Sequence, residues 1–560
     1  MQPAAVLEFE YLIIGGGSAG CVLANRLSAR AEVRVGLVEA GIDTPPGNVP
    51  ADILHTFPRA ALNSRYKWPR LLATLSSTSR GPTPLDQGKV MGGSSSINFQ
   101  AANRGFPDDY DEWSRAGATG WNWSGVLPYF RRLERDADFD GALHGHDGPV
   151  PVQRMPRDQW CGFSEAVAQT CAAAGLPFLD DQNACFDDGH FAAAQSNLPD
   201  RRISMAMAYL DESVRARPNL TILAETLVDK ILFEARRATG ARAVMSGAAI
   251  QLRARETIVC AGAIHTPALL MRSGIGPGTP LQALDIPVVA DIPGVGANLR
   301  EHPGVPVLAY LIRPARLQHG TRPLQVALRY SSRLSDCPPH DMYASVFCRA
   351  AWHGVGARLG MIMTWVNKAY SAGRVALCSP RMEDEPAVDL DLCADPRDLR
   401  RLVEGMRFIA SLYRREPLRQ VAPHSFPAPF SARSRAAMAP SLSNGVVMGI
   451  LGSLLDGPAA LRSFLIDRVI TETYSLNALM ADTDALESFV RATATGLKHV
   501  SGTCRIGHEA DTASVTAPDG RVRQVDGLRI ADASLMPTLP RANTNLPTVM
   551  IAEKIADSIH

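Results

Sequence analysis

Hydrophobic positions along this chain form short unbroken runs near both ends and alternating patterns between them. Tyr11-Leu12-Ile13-Ile14 is apolar throughout, the pattern of a strand buried on both faces. It leads into Gly15-Gly16-Gly17-Ser18-Ala19-Gly20, after which a helix is predicted over 18–27. A second run, Val33 to Val38, ends in Glu39. Alternation from Thr221 to Glu225 and from Leu227 to Phe233 predicts strands, and Glu256 to Ala263 predicts another buried one. Thr266 then suits a helix N-cap and Pro267 the first helical position. Near the end, Leu528 to Asp532 reads as a strand closing on an acid, and Leu546 to Ala556 as a helix with Asn545 as cap. A chain that begins and ends with the same domain character carries the other domain inserted within it.

The first strand-to-helix turn carries G-x-G-x-x-G in the context that gives it meaning. Gly15 permits the tight turn, Gly17 lets the backbone approach a pyrophosphate, and Gly20 lets the helix pack close. Helix N–H groups then face the phosphates, and Glu39 is placed to accept hydrogen bonds from a ribose diol. After the Pro/Gly-rich loop from Gly41 to Pro50 comes Gly88-Lys89-Val90-Met91-Gly92-Gly93-Ser94-Ser95-Ser96-Ile97-Asn98. Bracketed by apolar residues, this stretch reads as a backbone that passes close to a flat ring rather than as a linker. Trp113, Trp121, Trp123, Tyr129 and Phe130 read as core aromatics, and His144-Gly145-His146-Asp147-Gly148 as a loop without metal partners at useful spacing. From the breaker-rich Pro293 to Leu299 until about residue 490 there is no dinucleotide signal.

Length and composition narrow this picture. A chain of 560 residues exceeds one ordinary core, so at least two domains are expected. Its 46% apolar and 20% charged residues are those of a globular protein. A net charge of +1 makes no electrostatic case for nucleic acid or an anionic membrane. The stretch Gly445 to Leu455 is too short and glycine-interrupted to span a bilayer. Ten cysteines without a CxxC, and no basic leader with an apolar core, lead us to expect free thiols, no metal and a cytoplasmic monomer or small homo-oligomer.

Four motifs in order make the chain resemble the glucose-methanol-choline (GMC) oxidoreductases over essentially its whole length. They are the opening fingerprint, the Gly88–Asn98 loop, the run from Gly262 to Gly276, and His499-Val500-Ser501-Gly502-Thr503-Cys504-Arg505-Ile506-Gly507 with Asn543. Within the family, the stretches Gly41 to Pro46, Gln100 to Gly105 and Arg541 to Thr548 are most similar to the bacterial 5-(hydroxymethyl)furfural oxidases. The resemblance implies an α/β fold: a Rossmann-like FAD-binding domain with an inserted α+β substrate-binding domain, the p-hydroxybenzoate-hydroxylase-like architecture. The FAD-binding domain would comprise residues 1–155, 220–303 and 491–560, with cap elements in 156–219 and the substrate domain in 304–490. It further implies that FAD is held by Gly15, Gly17, Ser18, Ala19, Gly20, Glu39, Ala40, Met91, Gly92, Ser95, Asn98, Val228, Asp532, Ala533, Asn543 and Thr544. The absence of a second G-x-G-x-x-G agrees with FAD rather than NAD. Relatives with covalent flavin carry His before the loop Asn; here Ile97 precedes Asn98, so a noncovalent FAD is expected.

Alcohol oxidation removes a hydride from carbon, which flavin N5 accepts, and a proton from oxygen, for which a base poised near neutral pH suits histidine. The resemblance assigns that base to His499; the other twelve histidines are read as packing residues. Asn543 would orient the hydroxyl and stabilise a developing alkoxide. The N-terminus of the last helix would favour negative charge on a reduced flavin. Trp365 lies on a strand-like run that resembles a pocket-facing strand, with core packing the competing reading. Lys498 stands where close relatives have an aromatic residue, and its ammonium is expected either to reach a substrate carboxylate or to end in water. The implied reaction is oxidation of primary aryl or furan alcohols, and of hydrated aldehydes, with O2 as acceptor and H2O2 as product. A quinone-linked dehydrogenase, a flavin-binding lyase and a light-driven decarboxylase are the alternatives.

Overall fold

The unbroken apolar runs become the middle of one sheet. In the computed structural model, which describes residues 6–78, 81–318, 321–429, 431–471 and 474–559, Val6–Ile14 lies between Val35–Val38 and Ala248–Val259, parallel to both. Leu220–Leu223 extends the sheet on one side, and Leu528–Ile530 pairs with the end of Ala248–Val259 on the other, again in parallel. Tyr11 to Ile14 are buried, as strands covered on both faces require. Thr226–Glu234 and Arg237–Met245 complete the sheet as antiparallel strands. Strands from three distant stretches thus share one core. The second strand starts at Val35 rather than Val33, because the Val33 N–H is spent on the turn carbonyl of Arg30.

Turn geometry explains the fingerprint. Gly15 has φ +106°, a left-handed conformation, and a Cβ on Gly20 would stand 1.9 Å from the Gly15 carbonyl oxygen. The helix Ser18–Leu27 therefore leaves the sheet at the closest approach a backbone permits. Beside it packs the last helix, Asn545–Asp557, whose buried Glu553 holds Arg26 at 2.7 Å and the Tyr209 hydroxyl at 2.8 Å. Its N-cap is Thr544, not Asn545; the Asn545 side-chain oxygen instead accepts from the Ser18 hydroxyl at 2.7 Å, tying the two helix starts together.

A second local expectation also yields to a long-range contact. The helix Gly262–Arg272 begins ahead of Thr266 and carries Pro267 inside it. Proline has no N–H to give the Ala263 carbonyl, but the Thr503 hydroxyl donates to that carbonyl at 2.6 Å, while the Thr266 hydroxyl donates to Asp532 at 2.6 Å.

The inserted region builds an antiparallel sheet in the order His424–Pro427, Pro303–Tyr310, Leu359–Val366, Met342–Phe347, Leu324–Tyr330, Gly189–Ala192. The helix Pro396–Tyr413 covers it with Leu402, Met406 and Ile409. Thr495–Gly496 pairs with Pro303 and Gly304, so the returning chain is hydrogen-bonded to this sheet just before it rejoins the first.

The residues around His144 form a loop, yet its side chain does have carboxylate partners. It is buried against Glu134, Asp136 and Asp181, which drive the imidazole up to about 11 despite burial. Arg104 on Glu134, and Arg154 on Asp136 and Asp181, balance the remaining charge, so the cluster holds itself together as an ion-pair network. Among the described residues, no single helix is long and apolar enough to cross a membrane. Replacing Gly20 with valine forces the first helix off its turn; we expect a loss of roughly 1–3 kcal/mol, read as a lower melting temperature.

Candidate active site

Two glycine loops meet face to face at the C-terminal edge of the first sheet. The Gly92 N–H donates to the Gly16 carbonyl at 2.7 Å, and a Cβ on Gly93 would lie 2.8 Å from the Gly17 Cα. The Met91 sulfur sits so close that a Cβ on Gly16 would be 2.6 Å from it. The Ser95 hydroxyl donates to the Gly92 carbonyl at 2.6 Å and accepts the Met205 N–H at 2.9 Å. Met91, Gly92, Ser95 and Gly20 thus stand behind the cavity wall and brace it; the loop residues that line it are Gly88, Gly93, Ser94, Ile97 and Asn98. Arg202, fully buried and pushed down to about 9 by burial, fixes the Asn98 side-chain oxygen at 2.8 Å. Nothing in the sequence around Arg202 signals that role.

The cavity they enclose measures about 1270 Å³. Gly15, Gly17, Ser18, Ala19, Glu39, Ala40 and Val228 line it, as do Asp532, Ala533, Asn543, Thr544, Trp365, Lys498 and His499. The Glu39 carboxylate accepts the N–H groups of Gly16 at 2.8 Å and Gly41 at 2.7 Å, while burial pushes it up to about 7. Asp532 is likewise raised by burial and takes the N–H groups of Gly262 and Ser534, each at 2.8 Å. Three observations fit a flavin dinucleotide. Around Gly17 a Cβ would meet nothing nearer than 3.9 Å, which leaves its backbone open to a phosphate. The Asn543 side-chain oxygen and the Asn545 side-chain nitrogen, both on the wall, are buried without partners. The helix Asn545–Asp557 begins there, with its first N–H groups unsatisfied by any side-chain cap.

His499 owes its position to a bulge. Arg300 bridges Ser501, the Leu497 N–H donates to the His302 carbonyl at 3.1 Å, and Gly304 pairs with Thr495. Within this antiparallel run Lys498 adopts φ +69°, which breaks the ladder. Glu301 repairs it: its carboxylate accepts the N–H groups of Lys498 at 2.8 Å and His499 at 2.9 Å. With its own neighbour's N–H also bound at 2.8 Å, the Glu301 carboxylate, which stands close to both histidines, spends three acceptor sites on backbone N–H groups. The turned-out His499 ring then meets two side chains. Its Nε2 is 2.9 Å from the Asn543 amide nitrogen, and its Nδ1 is 2.9 Å from Nδ1 of His302. The Asn543 N–H is itself fixed by the Asn103 side-chain oxygen at 2.9 Å.

The structure therefore brings His499 and Asn543 together, and corrects the reading of the other twelve histidines as packing residues. His302 is part of the site. The signal was the stretch Asn298-Leu299-Arg300-Glu301-His302-Pro303, an acid and an imidazole at a strand start that looked only like a domain boundary. His499 is also not poised near neutral pH: burial, and then His302, hold it well below its ordinary 6.5. Trp365 is 2% exposed, packs at a tilt against Tyr343 with ring centres 4.6 Å apart, and meets His499 edge-to-face at 6.4 Å between ring centres. The Lys498 ammonium is paired with Asp86 at 2.7 Å, and Lys67 holds the other oxygen of Asp86 at 2.8 Å.

Comparison with known proteins gives this arrangement its context. Two models of the GMC oxidoreductase family match residues 9–304 and 369–552. The 5-(hydroxymethyl)furfural oxidase of Methylovorus sp. (strain MP688) is 43% identical over 98% of both chains. The oxygen-dependent choline dehydrogenase of Paraburkholderia phytofirmans is 32% identical over 99% of this chain and 95% of its own. Among solved structures, pyridoxine 4-oxidase from Mesorbium loti superposes with a TM-score of 0.82 over 99% of both chains at 24% identity, and formate oxidase with 0.82 at 22% over 99% of this chain and 98% of its own; these show the shared fold. With the fingerprint, the glycine loop and a His–Asn pair around one flavin-sized cavity, the chain belongs to the GMC oxidoreductase family and is an FAD-dependent enzyme of alcohol oxidation.

Proposed function

We propose that the protein oxidises primary aryl and furan alcohols, 5-(hydroxymethyl)furfural-like, and the hydrates of the corresponding aldehydes, with His499 as base. The observation that carries this reading is the His499–Asn543 pair on the wall of an aromatic-lined cavity. FAD, when bound, accepts the substrate hydride and passes the electrons to O2 as H2O2. The protein does the rest. Glu39 and the Gly15–Gly20 turn hold the ADP half, and Ile97, which offers no nucleophile beside the loop, leaves FAD noncovalent. Trp365, Phe347 and Met363 give a flat apolar slot for a furan or phenyl ring. An alcohol whose oxygen lies between His499 and Asn543 donates its O–H to Nε2 and accepts the amide N–H, so the proton leaves while charge grows on an oxygen already hydrogen-bonded. A hydrated aldehyde is a gem-diol and presents the same O–H. Resemblance to the furfural oxidase at 43% identity favours O2 as acceptor over a quinone.

At the cavity wall, Lys67 and Lys498 share the single carboxylate of Asp86, which leaves one positive charge in excess. That charge favours carboxylated furans, the substrates of the later oxidation steps.

His499→Ala should slow anaerobic bleaching of the flavin by an alcohol roughly 10²–10⁴-fold. Wild-type turnover should consume O2 and release an equal amount of H2O2; turnover only with a quinone would make the protein a dehydrogenase. Because His499 is held well below 6.5, kcat/KM should stay flat as pH falls through 6.5 and drop only below it. An acid limb centred at or above 6.5 would contradict the lowering of His499 by its surroundings. Lys498→Ala should raise KM for a carboxylated furan several-fold more than for its neutral analogue; equal changes would leave Lys498 no part in selection.

A further inference from the structure

We infer that His302 is a positioning residue that fixes the tautomer of His499, so that the lone pair of Nε2, and not a proton, faces the substrate. The inference rests on the reading of His499 as the base. Nε2 of His302 lies 3.1 Å from the Asn367 carbonyl, and a carbonyl can only accept, so this nitrogen carries a proton. His302 is wholly enclosed, the Glu301 carboxylate takes its backbone N–H and not its ring, and burial holds the imidazole down to about 4, so the ring is neutral. A neutral imidazole protonated at Nε2 has a bare Nδ1. That bare nitrogen is the atom 2.9 Å from Nδ1 of His499, and two nitrogens at this distance need one proton between them. His499 must supply it.

With Nδ1 of His499 protonated, its neutral ring leaves Nε2 bare, and Nε2 faces the Asn543 amide N–H at 2.9 Å. The opposite tautomer fails at His302, where two bare nitrogens would meet, and it would require the Asn543 amide to turn its oxygen toward the ring. A chain of single choices thus runs from a backbone carbonyl of the strand-end residue Asn367, through two imidazoles, to the atom that takes the substrate proton. After the transfer His499 carries protons on both nitrogens, and its Nδ1–H still has His302 as acceptor, so the new cation keeps its hydrogen bond. Both rings are held from the same strand pairing, at 300–304 and 495–501.

The test compares His302→Leu, which removes the acceptor, with His302→Asn, whose side-chain oxygen can accept the same Nδ1–H. Flavin reduction is measured anaerobically at saturating alcohol, with FAD content and KM recorded in parallel. We expect His302→Leu to reduce its flavin at least ~10²-fold more slowly, with FAD content and KM near wild type. His302→Asn should return to within about tenfold of wild type, since a hydrogen bond to a charge-bearing donor is largely restored. A leucine variant that reduces at the wild-type rate overturns the inference, as does an asparagine variant no faster than leucine. If His499→Ala itself reduces flavin at the wild-type rate, it is the base assignment that fails. Where a variant does not fold, two-bond 1H–15N correlation spectra of the 15N-histidine-labelled wild-type holoenzyme, with the His499 signals assigned by their loss in His499→Gln, decide the matter. Nδ1 protonated and Nε2 bare supports the inference, and the reverse overturns it.

Discussion

The structure turns on the strip where residues 300–304 run antiparallel to 495–501. On one side it continues into the inserted sheet through Pro303–Tyr310; on the other, Gly502 and Cys504 donate their N–H groups to Ala533 and Ser534 in the cofactor-binding region. The bulge at Lys498 would leave two part-buried amides without acceptors in the ladder. Glu301 takes both, and burial pushes its own carboxyl up to about 7. One buried acid thereby holds the His499 imidazole out of a ladder that would otherwise have turned it into the sheet.

The glycine loops solve the complementary problem on the opposite wall. A dinucleotide needs bare backbone over a long path, and bare backbone is hard to hold still. Here each loop is the other's support: Gly92 donates to Gly16, and Gly93 packs on Gly17 at a distance no side chain would allow. Met91, Gly92 and Ser95, expected at the cofactor, brace these loops from behind the cavity wall. Rigidity behind the wall leaves Gly17 and Ser94 lining the cavity in front of it.

How much of this was legible in the sequence depends on the range of the forces involved. The turn at Gly15 to Gly20 was readable because its demands are local: a left-handed residue, a close approach and a helix start lie within six positions. Pro267 was misread for the same reason, since a local rule forbids proline inside a helix and the hydroxyl that lifts the rule comes from Thr503. Asn545 passed for a cap because caps are local, while its real partner, Ser18, lies at the other end of the chain. His302 left the faintest trace. A buried histidine near a boundary is most often a packing residue, and only the pairing of two segments 197 positions apart gives it His499 as a neighbour.

Burial decides what each of these groups can do once it is placed. His144 and His302 are both enclosed, yet one is driven up to about 11 and the other down to about 4. The difference is what meets the ring: three carboxylates pair with the imidazole of His144, whereas that of His302 meets backbone carbonyls and a second imidazole, the nearby Glu301 being turned to backbone N–H groups. A charged imidazole serves as a strut and cannot accept a proton; a neutral one has a donor face and an acceptor face, and so can pass direction along a chain. That Glu301, the acid beside both rings, spends its oxygens on backbone N–H groups and hydrogen-bonds neither imidazole is therefore as much a part of the candidate site as the rings themselves. A carboxylate placed against His302 would charge it, give it two donor faces, and force the proton of His499 onto the nitrogen that the substrate needs bare.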